Sequence, residues 1–428
     1  MSISPARAAA FDILLRIENT DAYASELLHS SRFAKLSPVD HGLLTELVMG
    51  VLRWRTALDK SIAKHLAQPI TKLDVEVLTA LRLGVYQLLF LDRIPAHSAV
   101  NESVELVKKA RKRSAAGMVN AVLRKIDKGS RDLNVGSHPD WLVERWTRTY
   151  GEDAAKQICA YDQVTPKTTI RAGSPAAIEE LERGGIQLRP ATFLAKAFAV
   201  EGNIAQTKSF RERRLIIQDE ASQLIALLVG QGTAILDCCA APGGKTRIMA
   251  EQNPDSMIVA LELHPHRAAL LRKLVAADNV RVIAADARQF PLDRKFDRVL
   301  VDAPCSGTGT LARNPEIKWR LKVEDITRLQ AYQLEILSAA MNHVAPHGRA
   351  IYSTCSLEPE ENERVVEAAL AANPEFRVVN SHEELQLLKD NRELIVEDLD
   401  SLLSGPYLRT IPGVHPSDGF FAAILEKN

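Results

Sequence analysis

The sequence predicts a multidomain protein with an all-α bundle, a small α+β module and a Rossmann-like α/β domain, in that order. The chain has 428 residues, more than the roughly 250–300 that one hydrophobic core usually serves. Apolar residues recur at helical spacing through residues 1–128, where strand signals are absent. From Ala234 onward, short apolar runs alternate with helical stretches, as in a parallel sheet covered on both faces.

The N-terminal domain is predicted to be helical over residues 1–135. Apolar stripes at helical spacing occur in residues 10–17, 43–52, 75–91 and 100–110. Residues 128–139 are rich in turn-forming residues and lack any periodicity, which indicates a linker.

The middle segment, residues 136–215, is predicted to hold linker helices and a small α+β module. A helix is expected over Trp141–Tyr161 and another over Pro175–Arg183. Alternating segments predict strands at Thr168–Arg171 and Ala197–Val200.

The C-terminal domain, residues 216–428, shows the β-α-β rhythm of a doubly wound sheet. Its predicted strands are Ala234–Leu236, Met257–Leu261, Val280–Ala284, Arg298–Val301 and Ala350–Tyr352.

The charge balance is neutral overall but uneven along the chain. There are 54 basic and 54 acidic side chains, and zero net charge at face value argues against a nucleic-acid binder. Residues 1–352, however, contain 48 basic and 39 acidic side chains, whereas residues 353–428 contain 6 and 15. The acidic excess, in Glu358–Glu367 and Glu383–Asp400, is expected on solvent-facing helices, so the composition does not exclude nucleic acid.

The cysteine usage predicts a reducing compartment. Five cysteines with no CxxC pair fit neither a zinc site nor a disulfide framework. No apolar run approaches the roughly 18 residues of a membrane span, and the N-terminal stretch reads as an amphipathic helix. We therefore expect a cytoplasmic, monomeric protein without a metal and without a membrane partner.

A glycine-rich turn follows the first predicted strand of the α/β domain. Ile235–Thr246 reads ILDCCAAPGGKT, which is neither an NTPase loop nor a complete dinucleotide fingerprint. Such a turn brings bare backbone close to a ligand at a helix N-terminus. The next strands are expected to end at Glu262, placed for a ribose hydroxyl pair, and at Asp286, placed for an adenine amino group. Together they predict a nucleoside cofactor.

Two cysteines follow the fourth and fifth predicted strands. Because strand ends meet at the crevice of a doubly wound sheet, Cys305 and Cys355 are expected to face one pocket beside Asp302. Free cysteines usually fill cores, and that interpretation is adopted for Cys159, Cys238 and Cys239.

Two thiols and a carboxylate suit methylation of a pyrimidine at carbon 5, which is a poor nucleophile. A thiolate added to carbon 6 makes the ring enamine-like and able to attack an electrophilic methyl group. The carbon-5 proton must then leave, which requires a base. A carboxyl near N3 and the exocyclic amine stabilises the charge that develops on the ring.

These motifs resemble those of the S-adenosylmethionine-dependent RNA 5-methylcytosine methyltransferases, and within them the bacterial 16S rRNA group called RsmB, Sun or Fmu. The similar segments are DCCAAPGGKT at 237–246, VDAPCSGTG at 301–309 and YSTCS at 352–356. Further similar segments are Gln218–Gln223, Arg313–Trp319, Asp418–Phe421 and, in residues 1–128, Leu43–Arg53, Ala99–Leu106 and Val119–Arg124.

The resemblance implies a NusB-like RNA-binding bundle, an RRM-like module and a class I methyltransferase domain. It implies that Cys355 is the nucleophile, that Cys305 removes the carbon-5 proton, and that Asp302 contacts cytosine and cofactor. The implied cofactor is S-adenosyl-L-methionine, contacted by Cys239, Ala240, Ala241, Pro242, Gly243, Gly244, Lys245, Glu262, Asp286 and Asp302. Glu262 stands where the family commonly has Asp, and its longer reach should still serve the ribose. Residue patterns alone leave the two cysteine roles open.

The implied substrate is 16S rRNA, with phosphate contacts expected in the basic run of the bundle. That run comprises Lys108, Lys109, Arg111, Lys112 and Arg113. Three alternatives stay open: a cytosine-C5 methyltransferase acting on another rRNA or on tRNA, a methyltransferase with a protein or small-molecule acceptor, and a non-catalytic RNA-binding protein. The sequence DAPC, in place of an NPP[YF]-type motif, disfavours glutamine and adenine amino acceptors.

Overall fold

The computed structural model describes residues 3–127, 136–289 and 293–428. The described chain forms two compact units. Unit one comprises Met1–Arg148, Cys159–Val164 and Leu311–Arg320, and unit two comprises Thr149–Ile158, Thr165–Thr310 and Leu321–Asn428.

Unit one is helical throughout its regular elements, which confirms the predicted all-α bundle. Its helices are α1 (Pro5–Asn19), α2 (Ala24–Leu28), α3 (Pro38–Arg53), α4 (Arg55–Ala63), α5 (Val75–Phe90), α6 (Ala96–Lys109), α7 (Ala116–Arg124) and most of α8 (Asp140–Tyr150). Most of the predicted linker, residues 128–135, lies outside the described residues.

Helices α3 and α5 approach each other closely because Gly50 lacks a side chain. A Cβ on Gly50 would lie 1.9 Å from Cζ of Tyr86, which is inside van der Waals contact. The Tyr86 hydroxyl donates to Glu46 Oε1 at 2.5 Å. The glycine therefore lets an aromatic ring of α5 lie flat against α3 while its polar end keeps a partner.

The segment Leu311–Arg320 lies far along the sequence but is packed in unit one. Trp319 Nε1 donates to the Leu52 carbonyl at 2.6 Å, and Glu316 Oε1 accepts from the Ala24 amide at 2.8 Å. Lys318 is 1 % exposed, and burial lowers its pKa to about 8.

The predicted helix Trp141–Tyr161 is two helices, α8 and α9 (Glu152–Asp162). Gly151 separates them with φ of 86°, a left-handed conformation that a continuing helix cannot contain and that glycine adopts without strain. The prediction of one helix was therefore wrong.

The small α+β module of unit two is a four-stranded antiparallel sheet in the order β2-β3-β1-β4. Its elements are β1 (Thr168–Ala172), α10 (Pro175–Arg183), β2 (Gln187–Pro190), β3 (Ala197–Glu201), α11 (Lys208–Arg211) and β4 (Leu215–Ile217). β1, α10 and β3 match the prediction, whereas β2 and β4 were not predicted. These strands have four and three residues, too few to show alternation.

The large sheet of unit two has a parallel half and an antiparallel half. Strands β7-β6-β5-β8-β9 pair in parallel, and β13, β12 and β11 follow antiparallel, with β10 paired to β13. The strand bounds are β5 (Ala234–Asp237), β6 (Met257–Glu262), β7 (Val280–Ala284), β8 (Phe296–Asp302), β9 (Val344–Thr354), β10 (Phe376–Val379), β11 (Leu403–Ser404), β12 (Tyr407–Thr410) and β13 (Phe420–Lys427). The helices are α12 (Glu220–Leu227), α13 (Gly244–Gln252), α14 (Pro265–Val275), α15 (Ile317–Arg320, in unit one), α16 (Val323–Met341), α17 (Glu363–Ala372) and α18 (Ser381–Asp390).

The strand order reverses between β5 and β8, because β6 and β7 extend the sheet on one side of β5 and β9 extends it beyond β8. In doubly wound sheets the ligand crevice lies at the carboxyl ends of the strands at this reversal. The predicted Rossmann-like fold is thus confirmed, and it places the loops after β5 and β8 side by side.

The predicted solvent-facing position of the acidic segment Glu358–Glu367 is wrong for two of its residues. Glu358 is 1 % exposed and Glu361 is fully buried. They lie in the turn that follows Cys355, where the chain folds back into the domain before α17 begins.

Candidate active site

The glycine-rich loop runs from the end of β5 to the start of α13. Gly243 has φ of 112°, and a Cβ there would lie 2.7 Å from side-chain carbons of Leu271 and Val275. Both conditions require glycine. The loop is held between neighbouring strands, since the Ala240 amide donates to the Leu261 carbonyl at 2.8 Å. The predicted glycine-rich turn at a helix N-terminus is present, with Gly243 buried and Gly244 half-buried.

Acidic residues lie at the carboxyl ends of the three strands on this side of the sheet. Asp237 ends β5 and is 1 % exposed; burial raises its pKa to about 7, although Thr246 Oγ1 donates to it at 2.7 Å. Glu262 ends β6 and accepts from the His264 amide at 2.9 Å. β7 ends at Ala284, so Asp286 lies two residues beyond the strand.

Asp286 and Asp302 each have a basic partner. Arg288 donates to Asp286 Oδ2 at 2.7 Å, and this bonding lowers the pKa of the Asp286 carboxyl. Lys245 Nζ lies 2.7 Å from Asp302 Oδ2, and Ser353 Oγ donates to Asp302 Oδ1 at 2.9 Å. The structure therefore joins the start of α13, the end of β8 and the end of β9 at one carboxylate.

The two predicted cysteines meet in the same place. Cys305 follows β8 and Cys355 follows β9, and their Sγ atoms are 3.3 Å apart. The hydrogen bond to Cys355 raises the pKa of Cys305, and burial raises it further. Because β8 and β9 are parallel neighbours with Asp302 opposite Ser353, their C-terminal loops deliver the thiols to one point.

Sequence reasoning missed Glu361, which binds both cysteine loops. Its carboxylate accepts from the Ser306 amide at 2.8 Å, from the Ser306 hydroxyl and from Ser356 Oγ at 2.5 Å. Gln333 Nε2 donates to the same carboxylate at 2.8 Å. In the sequence, Glu361 is distinguished only as an acidic residue six positions after Cys355. An acidic turn on the protein surface would have the same sequence pattern, so the role of Glu361 could not be predicted.

The other three cysteines are Cys238, Cys239 and Cys159. Cys238 is 3 % exposed among core residues. Cys239 is half-buried in the glycine-rich loop. Cys159 belongs to unit one, where burial raises its pKa to about 12. Burial likewise raises the pKa of Cys238 and Cys239, so all three favour the protonated thiol.

The basic run of the bundle lies at the C-terminal end of α6 and the turn that follows. Lys108 pairs with Glu105 at 2.7 Å and Lys112 pairs with Asp74 at 3.1 Å. Lys109, Arg111 and Arg113 are exposed. Two of the five predicted RNA contacts are therefore partly neutralised within the unit.

The residues present fit a nucleoside methyl donor. Gly244 and Lys245 are half-buried at the N-terminus of α13, a place where electronegative ligand groups are stabilised. Glu262 is 5 % exposed and carries the carboxylate that suits vicinal hydroxyls. The fold and this site define the class: a methyltransferase that uses S-adenosyl-L-methionine.

Comparisons with known proteins give the family. Residues 224–426 match "16S rRNA methyltransferase RsmB/F", residues 4–128 match "NusB family", and residues 138–206 match "Methyltr_RsmF/B-like, ferredoxin-like domain". The chain belongs to the RsmB/F methyltransferase family.

Two relatives match nearly the whole chain in sequence, and two solved structures share its fold over all or part of its length. "Probable ribosomal RNA small subunit methyltransferase B" of Bacillus subtilis (strain 168) is 33% identical, covering 100% of both chains. "Ribosomal RNA small subunit methyltransferase B" of Vibrio cholerae is 32% identical, covering 98% of this chain and 97% of the relative. The crystal structure of PH0851 aligns over 100% of both chains with a TM-score of 0.81 and 25% identity. NSun6 from Pyrococcus horikoshii with SFG shares the fold over 68% of this chain and 99% of its own, with a TM-score of 0.58 and 19% identity.

Within 3–127, 136–289 and 293–428, no helix is long and apolar enough to cross a membrane. Across the same three ranges, no cluster of three or more His, Cys, Asp or Glu side chains is arranged to hold a metal ion.

Proposed function

We propose that this protein transfers a methyl group to carbon 5 of a specific cytosine in 16S rRNA through a covalent bond between Cys355 and carbon 6. The observation that carries the proposal is the pair of thiols, 3.3 Å apart, at the carboxyl ends of β8 and β9. The relatives named as small-subunit methyltransferases support rRNA as the acceptor. S-adenosyl-L-methionine, when bound, supplies the electrophilic methyl group.

The assignment of Cys355 as nucleophile is supported by the electrostatics of the pair. A thiol whose pKa is raised keeps its proton, and the pKa of Cys305 is raised chiefly by its bond to Cys355. Either sulfur can donate in the 3.3 Å contact. The raised pKa favours Cys305 as the thiol that stays protonated, which leaves Cys355 as the proposed nucleophile. A thiolate is the reactive nucleophile toward carbon 6.

The same arrangement gives Cys305 its later role. Once the Cys355 sulfur is bonded to carbon 6, it no longer carries negative charge and is a weaker hydrogen-bond acceptor. Two causes of the raised pKa of Cys305 then disappear. Cys305 can release its proton to water and accept the carbon-5 proton, after which the Cys355–carbon 6 bond breaks.

Asp302 is the group proposed to contact both cytosine and cofactor. Lys245 and Ser353 hold its two oxygens, so the carboxylate has a fixed orientation toward the crevice. A fixed carboxylate can accept from the exocyclic amine of cytosine and stabilise the charge that develops during attack at carbon 6. The remaining proposed cofactor contacts are Cys239, Ala240, Ala241, Pro242, Gly243, Gly244, Lys245, Glu262 and Asp286.

The bundle is proposed to bind the RNA backbone through Lys108, Lys109, Arg111, Lys112 and Arg113. The target base must be unstacked to reach a thiol, at a cost of roughly a few kcal/mol.

We further propose a monomeric cytoplasmic enzyme with domains at 1–135, 136–215 and 216–428. A cytosine in another rRNA or in tRNA is the second candidate acceptor, because the site geometry alone does not distinguish RNAs.

The nucleophile is tested by methyl transfer from labelled S-adenosyl-L-methionine to 16S rRNA. Cys355→Ala is expected to abolish incorporation, because Cys355 is the thiol proposed to form the carbon-6 bond. Cys159→Ala is the matched control, since Cys159 lies in the other unit, and it should methylate at the wild-type rate. Normal methylation by Cys355→Ala would disprove the mechanism.

The substrate is tested separately by bisulfite sequencing of rRNA from cells that lack the protein. One cytosine of 16S rRNA should become fully converted, and expression of the wild-type chain should restore its protection. Loss of protection in 23S rRNA or tRNA instead would establish the second candidate acceptor.

A further inference from the structure

The two cysteine loops have the same local pattern, a cysteine followed by a serine. Cys305 precedes Ser306 and Cys355 precedes Ser356. Both serine side chains are buried, at 7 % and 1 % exposure, and both bind one carboxylate, that of Glu361. The chain thus links the two catalytic loops through the residues adjacent to the thiols.

Glu361 is itself held by the two elements that surround the loops. The Tyr352 hydroxyl of β9 donates to the Glu361 carbonyl at 2.6 Å. Gln333 of α16 donates through Nε2 to Glu361 Oε1 at 2.8 Å and to the Pro304 carbonyl at 2.9 Å. The carboxylate is fully buried, so it cannot rotate into solvent, and its position is fixed relative to Pro304 next to Cys305.

The hydrogen-bond geometry around Glu361 contains three oxygen atoms in mutual contact. Ser306 Oγ and Ser356 Oγ are 3.0 Å apart, and each is bonded to Glu361 Oε2. If both hydroxyls donate to Oε2, the contact between the two hydroxyls contains no hydrogen bond, because each hydroxyl has only one proton. A protonated carboxyl that donates to one serine allows all three contacts to be hydrogen bonds. Burial raises the pKa of Glu361 in the direction that favours this form.

We propose that Glu361 is a positioning residue, a neutral hydrogen-bonded bridge that fixes the separation of the Cys305 and Cys355 thiols. Without Glu361, two hydrogen bonds would still join the described loops. The Gly309 amide donates to the Cys355 carbonyl at 2.9 Å. The Leu357 amide donates to Thr308 Oγ1, also at 2.9 Å. Those bonds align the backbones, and the two serine hydroxyls would still contact each other, but the buried carboxyl group that binds both of them would be missing. The catalytic consequence rests on the proposed function; the thiol geometry does not.

The thiol geometry is tested without RNA or cofactor, by the rate at which diamide cross-links Cys305 to Cys355. The two thiols lose two protons and two electrons, the S–S bond forms, and diamide is reduced to the hydrazine. Glu361→Ala should slow this reaction by about tenfold or more, because reaction between fixed groups depends on their alignment. Glu361→Gln, which preserves shape and neutrality, should stay within about threefold of wild type. Peptide mass spectrometry identifies the linked pair.

Glu220 provides the matched control for loss of a buried carboxylate. It is 4 % exposed and accepts from the amides of Thr192, Phe193 and Leu194. Glu220→Ala should lower stability while leaving the cross-linking rate unchanged. Cross-linking of folded Glu361→Ala at the wild-type rate would overturn the proposal. If Glu361→Ala does not fold, Glu361→Gln decides the question. A tenfold slower cross-linking of Cys305 to Cys355 in Glu361→Gln would overturn the proposal that Glu361 acts as a neutral bridge.

The catalytic consequence is tested in the methyl-transfer assay. Glu361→Ala should lower kcat by about tenfold or more and leave KM for S-adenosyl-L-methionine unchanged, with rescue by Glu361→Gln. Equal kcat in wild type and Glu361→Ala would contradict the positioning role. Failure of the wild-type protein to methylate any RNA would contradict the proposed function, while the diamide result would still decide the role of Glu361 in thiol geometry.

Discussion

At the scale of single residues, position at a strand end was the informative property. Cys305, Cys355 and Asp302 were predicted to meet because parallel neighbouring strands end at one edge. The structure brings the two thiols together and pairs Asp302 with Ser353 at the ends of the same two strands. Glu361 could not be predicted, because its burial depends on a turn that brings it under two loops 50 residues apart in sequence. Acidic residues are rarely buried, so the acidic sequence around Glu361 predicted a position on the protein surface.

Glu262 provides a test of the cofactor site at this scale. Glu262→Gln replaces the carboxylate with an amide that can still accept from the His264 amide. Because charged hydrogen bonds to ribose hydroxyls are weakened, the affinity for S-adenosyl-L-methionine should fall by about tenfold. Isothermal titration calorimetry measures this directly. An unchanged Kd would show that Glu262 does not contact the cofactor.

Asp237 predicts a pH dependence of stability. Its pKa is raised from 3.8 to about 7 in the folded protein, so the unfolded chain ionises first as pH rises. The stabilising contribution is complete below about pH 4 and is lost as pH rises through 7. Relative to Asp237→Asn, wild-type unit two should lose about 2–3 kcal/mol between pH 5 and pH 8.

Amide hydrogen exchange of β5, without cofactor, measures this difference. All four tryptophans, at 54, 141, 146 and 319, lie in unit one, so tryptophan fluorescence does not report on unit two. If the stability of unit two changed with pH in the same way in the wild type and in Asp237→Asn, Asp237 would not be a buried acid with a raised pKa.

At the scale of elements, some predicted bounds agree with the structure and others do not. The helix α10 and the strand β7 have the predicted bounds. β9 was predicted over three residues but spans Val344–Thr354, because its first half contains Pro346 and Gly348, which interrupt the apolar run. Strands β10 to β13 were not predicted, since antiparallel pairing with β9 and β13 determines them more than composition does.

The basic turn after α6 yields a prediction about RNA affinity. Neutralising the exposed Lys109, Arg111 and Arg113 with glutamine should weaken binding to 16S rRNA and reduce the slope of log K against log salt by about 2 to 3. Cofactor affinity should not change. Filter binding over a salt series gives both quantities.

A charge-matched control separates local contact from overall charge. Lys35, Lys60 and Lys64 are also exposed in unit one, and their replacement with glutamine removes the same charge. This control should alter the salt slope less than the variant of the basic turn does. Equal slopes in the two variants would show that the turn makes no specific phosphate contact.

At the scale of the whole molecule, the neutral composition results from two opposite contributions. The acidic excess of residues 353–428 is partly used inside unit two, where Glu426 and Glu384 pair with Arg349 and Glu363 pairs with Arg409. Those carboxylates therefore contribute less repulsion toward RNA than their number suggests. Net charge could not reveal this because it carries no information on pairing.

The central claim, that the two thiols divide the work of cytosine methylation, is tested most directly with Cys305→Ala. The variant is incubated with S-adenosyl-L-methionine and 16S rRNA and separated on a denaturing gel. Because Cys355 can still attack carbon 6 while the carbon-5 proton cannot be removed, the protein should accumulate as a covalent RNA adduct. The double variant Cys305→Ala/Cys355→Ala should form none. Absence of an adduct with Cys305→Ala, together with undiminished methylation, would contradict the account.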